Sequence, residues 1–209
     1  MIYLPDAFRE TDCSTLHELI ESYGFATLIS PDASEPLITH LPLLLERGHG
    51  AHGTLLGHVA RANPHWQALQ DRPGVVAIFH GPHAYVSPSW YGVHPSVPTW
   101  NYAVVHASGR ARLLHDPQAL DQITKRLVER FEGPRSQPWH MQLPSDFHQR
   151  MLGAIVGFEI EISQLSGKFK LSQNRTLDDR HRVVTALEAG GAAERELAAL
   201  MRARVLHEP

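Results

Sequence analysis

Cysteine is almost missing from this chain. Cys13 is the only one in 209 residues, which excludes an internal disulfide and any cysteine-rich zinc site. Its position on a predicted helix reads as a structural thiol. Long hydrophobic runs are lacking too: no stretch of about 18 apolar residues occurs, so no membrane-spanning helix is expected. The opening Met1-Ile2-Tyr3-Leu4-Pro5-Asp6 has no basic cluster ahead of an apolar run, which predicts a cytoplasmic protein. Positive charge is not in excess. The 19 Lys and Arg face 22 Asp and Glu, a formal charge of -3, which argues against a partner held mainly by neutralising nucleic-acid phosphates. Also absent are the glycine-rich loops of nucleoside-triphosphate and dinucleotide sites, the His-Glu-x-x-His helix of zinc enzymes and the Gly-x-Ser-x-Gly elbow of serine hydrolases.

What is present is a chain that is 43% hydrophobic, enough for one large domain or a domain with an appendage. Asp12 can cap a first helix whose Leu16, Leu19, Ile20 and Tyr23 share a face, and Gly24 ends it. Strands are predicted over 25–30, 36–46, 54–59, 75–79, 99–114 and 153–162, the fifth unbroken or bulged at Gly109. Asn63-Pro64 and Asp116-Pro117 are helix starts. The first opens a short helix over 65–70, and the second opens one striped by Leu120, Ile123, Leu127, Val128 and Phe131, followed by a loop over 133–144. Two further helices flank Gly190-Gly191, carrying Val183, Val184 and Leu187 on one and Leu197, Leu200, Met201 and Val205 on the other. Six or more strands followed by helices make this a mainly β, α+β chain, a small antiparallel barrel with flanking helices.

Three segments bear on chemistry. Between Arg72 and Arg110 there is no charged residue, yet Phe79, Tyr85, Trp90, Tyr91, Trp100 and Tyr102 all fall there. Such a segment is expected to be largely buried, as an oversized core loop, a subunit interface or a wall for a flat ligand. In Gly57-His58-Val59-Ala60-Arg61-Ala62-Asn63-Pro64 a strand end carries His and Arg into a helix N-terminus, which suits an anion; the plainer alternative is that Asn63 only caps and Arg61 pairs with a carboxylate. In Gly167-Lys168-Phe169-Lys170-Leu171-Ser172-Gln173-Asn174-Arg175 two lysines share one face of an extended stretch, either as a solvated basic turn or as half of an anion site. Of the 15 histidines, His80 and His83 flank a Gly-Pro turn and do not form a metal motif; buried neutral rings that hydrogen-bond a ligand or backbone are expected.

Taken together, residues 1–8, Thr39-His40-Leu41-Pro42, and the stretches 57–66, 79–91, 97–102 and 168–175 resemble the FMN-binding negative transcriptional regulators of the Pai type. These lie within the flavin-binding split barrels related to pyridoxamine-phosphate oxidase. The resemblance implies a six-stranded antiparallel split β-barrel over 1–175, a helical extension over 176–209 packed on it, and a homodimer with FMN between subunits. It implies FMN-binding roles for Thr39, His40 and Leu41 along the flavin, for His58, Arg61 and Asn63 at the phosphate end, for Ser87, and for Lys168, Gln173 and Asn174 from the opposite subunit. The run at Lys168 departs from the oxidases' basic and histidine-bearing motif, which argues against vitamin oxidation. Two functions follow from the resemblance: a negative transcriptional regulator, or an FMN-dependent oxidoreductase or flavin reductase in which the flavin and no side chain is the catalyst. DNA contact is not signalled by charge. The tail arginines at 175, 180, 182, 195, 202 and 204 are balanced by Asp178, Asp179, Glu188, Glu194, Glu196 and Glu208, and the helix pair around Gly190-Gly191 reads as a packing hairpin.

Overall fold

The computed structural model describes residues 2–31 and 35–206; Met1 and Glu208, both drawn on above, lie outside them. The strands are β1 (Arg9–Glu10), β2 (Phe25–Ser30), β3 (Leu37–Pro42), β4 (Leu44–Glu46), β5 (Thr54–Ala60), β6 (Gly74–Val86), β7 (Thr99–Leu114) and β8 (Ile155–Lys170). The helices are α1 (Cys13–Ser22), α2 (His65–Asp71), α3 (Pro117–Glu132), α4 (Ser145–Gly153), α5 (Leu177–Glu188) and α6 (Ala192–Val205). The strand order is β3-β2-β6-β7-β8-β5-β4, with β1 beside β8, and the registered pairs are antiparallel. This is the mainly antiparallel, helix-flanked class expected, with eight strands instead of six. The count differs because β1, two residues long, is too short to show a period, and because the strand expected over 36–46 is divided into β3 and β4. Among the described residues no helix is long and apolar enough to cross a membrane.

The chain divides into two compact units. The first takes the residues up to Leu19, His80–Val105 and Ser166 onward. Here Asp12 caps α1 as its spacing predicts, Oδ2 accepting from the Thr15 amide at 2.8 Å. Gly81 and Gly167 let α1 approach the strands, since a Cβ at either would press on Leu19 or Leu16 respectively. Cys13 is exposed on α1, with Sγ 3.5 Å from His17 Nε2, so it is a surface thiol and not the packed one expected. Helices α5 and α6 pack through Val183, Val184, Leu187, Leu197, Met201 and Val205, all buried. The uncharged segment is less buried than its composition suggests: Tyr85, Val93, Val97 (68%) and Trp100 (53%) are exposed.

The second unit takes Ile20–Phe79 and His106–Leu165. Strands β5 and β8 pair from Thr54↔Glu161 to Ala60↔Ile155, and α3 covers β4 and β5 through Leu44, Leu56, Ile123 and Leu127. Asp116 caps α3, accepting from the Gln118 amide at 3.1 Å. The strand predicted over 36–46 breaks at Leu43, whose amide leaves the ladder to donate to the Gly24 carbonyl at 2.8 Å. Strand β6 runs on to Val86 despite Pro82. Its register with β2 ends at Ile78, so the missing proline amide removes no bond to β2. Strand β7 is unbroken at Gly109, which serves close approach: a Cβ there would overlap the Glu161 carbonyl oxygen. Helix α4 was not expected because it has no buried residue, hence no apolar stripe to read.

Candidate functional site

The sequence-predicted residues fall into two sets, one in each unit. In the second unit, Thr39 on β3 holds Oγ1 2.7 Å from His65 Nδ1 and accepts from Asn63 Nδ2 at 3.1 Å. Asn63 Oδ1 accepts from the His65 amide at 3.0 Å, which fixes the orientation of its carboxamide. His65 Nε2 lies 2.8 Å from Ser30 Oγ, so the ring bridges two hydroxyls. Burial pushes the His65 pKa down, and the ring is neutral at neutral pH. His40 is exposed with Nδ1 3.1 Å from Thr27 Oγ1, and Leu41 is buried. Sequence reasoning did not single out His65 or Ser30; the signal for His65 was its place just after Asn63-Pro64, and Ser30 had none.

His58, Arg61 and Asn63 do not converge through hydrogen bonds. The Arg61 guanidinium donates from Nε to the Gly153 carbonyl (2.7 Å) and from Nη2 to the Ile155 carbonyl (2.9 Å), clasping the turn from α4 into β8. Its partners are thus backbone carbonyls and not a carboxylate, although it also lines a cavity of about 380 Å³ with His115, Leu120 and Leu152. His58 Nδ1 is buried without a hydrogen-bond partner among the described residues, and burial lowers its pKa.

In the first unit the Lys168–Arg175 run meets the uncharged aromatic segment. Lys168 is buried, donates from Nζ to the Tyr3 carbonyl at 2.9 Å, and sits 5.0 Å from the Tyr3 ring centroid and 5.6 Å from that of Tyr102. Lys170 Nζ donates to the Trp100 carbonyl at 2.7 Å and to Thr99 Oγ1. The Arg175 guanidinium lies 4.2 Å over the Tyr91 ring and reaches Ser96 Oγ at 3.3 Å. Among the described residues no carboxylate forms an ion pair with any of these three cations. Burial first, then the charges of Lys168 and Arg175, hold Lys170 below the ordinary lysine pKa. Beside them a cavity of about 340 Å³ is lined by His80, Gly81, His83, Trp100, Tyr102, Ala103 and Val104. Its rings are ordered, Tyr85 meeting Trp100 edge-on at 6.3 Å and His83 tilted against it at the same separation.

Other predicted residues of this unit are occupied locally. Gln173 folds onto its own backbone, Oε1 accepting from the Leu171 amide at 2.7 Å and Nε2 donating to the Phe169 carbonyl. Ser87 Oγ accepts from the Ser89 amide at 3.2 Å and caps a short turn, while Asn174 is exposed. A groove of about 790 Å³ in the second unit has a different character. It is lined by Arg126 and Arg130 together with Glu21 and Glu129, Arg126 pairing with Glu46 and Arg130 donating to the Glu21 carbonyl, so cations and carboxylates are mixed there.

A family model described as "Putative FMN-binding domain" matches residues 2–164. The chain belongs to this family. FMN is accordingly its cofactor. Among curated relatives, "Protease synthase and sporulation protein PAI 2" of Bacillus subtilis is 34% identical over 189 residues, 90% of this chain and 89% of that protein. An uncharacterized protein of Emericella nidulans is 30% identical and covered over 97% of each chain. The fold is shared with the flavocytochrome Anf3 of Azotobacter vinelandii (TM-score 0.61, 16% identity, 81% of this chain and 70% of that one). It is shared equally with an FAD and heme binding protein of Mycobacterium smegmatis (TM-score 0.61, 16% identity, 88% and 80%). The residues present fit FMN. A flat, anionic group needs uncharged aromatic walls and cations not neutralised by carboxylates; Trp100 and Tyr102 line the first unit's cavity, and Lys168, Lys170 and Arg175 lie on the adjoining run without a carboxylate partner.

Proposed function

We propose that this chain is a cytoplasmic, homodimeric FMN-dependent oxidoreductase, and that the cationic turn of its first unit holds the flavin. The observation that carries the reading is that Lys168 and Lys170, with Arg175 near them and no carboxylate paired to any of the three, contact Tyr102 and Trp100, two residues that wall the cavity. Bound FMN supplies the electron transfer. The chain's own residues bind and orient: Lys168 and Lys170 bring positive charge to the anionic cofactor, and Trp100 and Tyr102 exclude water from one side of it. No acid or base is needed from these side chains. Thr39, His40, Leu41, His58, Arg61 and Asn63 form the second candidate set, and Ser87, Gln173 and Asn174 act on the first through the backbone they brace or by direct contact. The exposed Tyr85, Val93, Val97 and Trp100 support the homodimer, since an uncharged face of this kind is suited to a second copy. A single free cysteine suits a reducing cytoplasm.

A second reading, negative transcriptional regulation, is favoured by the likeness to PAI 2, whose name ties that protein to protease synthesis and sporulation. Direct DNA contact is poorly supported by the tail. Arg182 and Arg202 pair with Asp178 and Glu188, Arg180 donates to the Val205 carbonyl, Arg195 to that of Gly190 and Arg204 to Thr15 Oγ1. Regulation would then act through flavin chemistry. The test is titration of the apoprotein with FMN, followed by anaerobic NADH or NADPH and, separately, promoter DNA. Lys170→Met should weaken FMN binding about tenfold or more, as expected for loss of a charged contact. Nicotinamide-driven bleaching without salt-sensitive DNA binding supports the oxidoreductase; salt-sensitive DNA binding with a flavin inert to reductants overturns it.

A further inference from the structure

Asn101 lies on β7 between Trp100 and Tyr102, and its side chain is fully buried. Nδ2 donates to Ser172 Oγ at 2.8 Å and faces Met201 Sδ of α6 at 3.5 Å, while Oδ1 has no partner among the described residues. Turning the carboxamide over would only exchange which end is orphaned. A buried polar atom left unpaired is costly, and a leucine of similar size would avoid that cost. The partner of Asn101 is itself unfavourable. Ser172 has φ 66, a left-handed conformation that an L-residue with a side chain adopts at a cost, and it is the non-glycine residue among those described that does so.

These two costs meet at one place. Ser172 follows β8 directly, and its carbonyl accepts from the Arg175 amide at 2.9 Å, so the left-handed residue turns the chain from Lys170 back to Arg175. The residues just before Asn101 grip the same turn from the other end: Thr99 Oγ1 and the Trp100 carbonyl both accept from Lys170 Nζ. Three consecutive residues of β7 therefore clasp Lys170 and Ser172, and Gln173 braces the turn from inside. Nothing about packing requires this. An apolar contact between β7 and α6 would bury the same surface without an orphaned acceptor.

We infer that Asn101 is a positioning residue for the anion-binding turn, holding Ser172 left-handed so that Lys170 and Arg175 present their charges to a phosphate-bearing planar ligand. This rests on the first unit being the flavin site. Met201 links α6 to the same clasp, so the C-terminal hairpin supports the turn from behind.

The experiment compares Asn101→Leu, Ser172→Gly and Lys170→Met with the wild type, reading FMN affinity by fluorescence quenching across pH and the thermal midpoint without FMN. Ser172→Gly keeps the left-handed turn without strain and removes only the hydroxyl. Asn101→Leu should weaken FMN binding about tenfold without lowering the FMN-free midpoint, whereas Ser172→Gly, which keeps the turn, should bind FMN within about threefold of the wild type. In Asn101→Leu the fall in affinity at high pH that Lys170 imposes should also flatten, a change that a purely structural asparagine would not cause. Wild-type affinity and an unchanged pH profile in folded Asn101→Leu, or a tenfold loss in Ser172→Gly, overturn the inference while Lys170→Met still weakens binding. If Lys170→Met binds FMN as tightly as the wild type, the site assignment itself fails.

Discussion

The two depressed histidines of the second unit make stability depend on pH in a definite direction. His65 sits between Thr39 and Ser30, and His58 keeps an unpartnered ring nitrogen, so protonating either in place would put a buried charge without a counter-ion. Both folded pKa values lie below the usual 6.5, with burial as the cause. Above 6.5 both states are neutral and the full stability is present; below it the unfolded chain takes up protons first, so stability falls as pH drops toward the depressed folded values. A thermal midpoint that declines from about pH 7 to about pH 5 is expected, and a flat midpoint would mean that both rings protonate freely in the fold. Lys170 has the opposite sense. Its charge is lost as pH rises through a value below the usual 10.5, so an anion held there is released earlier than an ordinary lysine would release it.

Strand β7 is the element on which most depends, because it carries the aromatic wall, the clasp on Lys170 and the close contact at Gly109. A methyl group at 109 would overlap the Glu161 carbonyl and press on Ile160, whereas at Gly74 nothing lies within 4 Å of the added atom. Gly109→Ala should therefore cost roughly 1–3 kcal/mol by overpacking, and Gly74→Ala should be close to neutral. Chemical denaturation of both variants tests this; equal midpoints would mean that β8 can shift to accept the side chain. The same strand shows how far pattern reading reaches. Its ends, Thr99 and Leu114, agree with the predicted 99–114 because β-branched and alternating apolar residues run its length. Helix α4 and strand β1 escaped because the first lacks a buried face and the second the length to show one.

At the scale of the whole molecule, the exposed Trp100 and Val97 of the uncharged segment have the character of a surface meant for cover. If a second copy provides it, Val97→Asp with Trp100→Asp should convert a two-chain particle to single chains in sedimentation at micromolar concentration. A wild type that sediments as one chain would remove the homodimer from the proposal. The class of fold and the candidate segments were legible in the chain itself: periodicity, helix-start pairs and the gap in charge between Arg72 and Arg110 are local properties. What those segments do was not. Arg61 and Lys170 are both cations in promising runs and both donate to backbone carbonyls, yet Arg61 uses its guanidinium to clasp Gly153 and Ile155, whereas Lys170 stands beside the charges of Lys168 and Arg175. That difference depends on which backbone atoms arrive from residues 70 to 94 positions away, and only the folded chain brings them there.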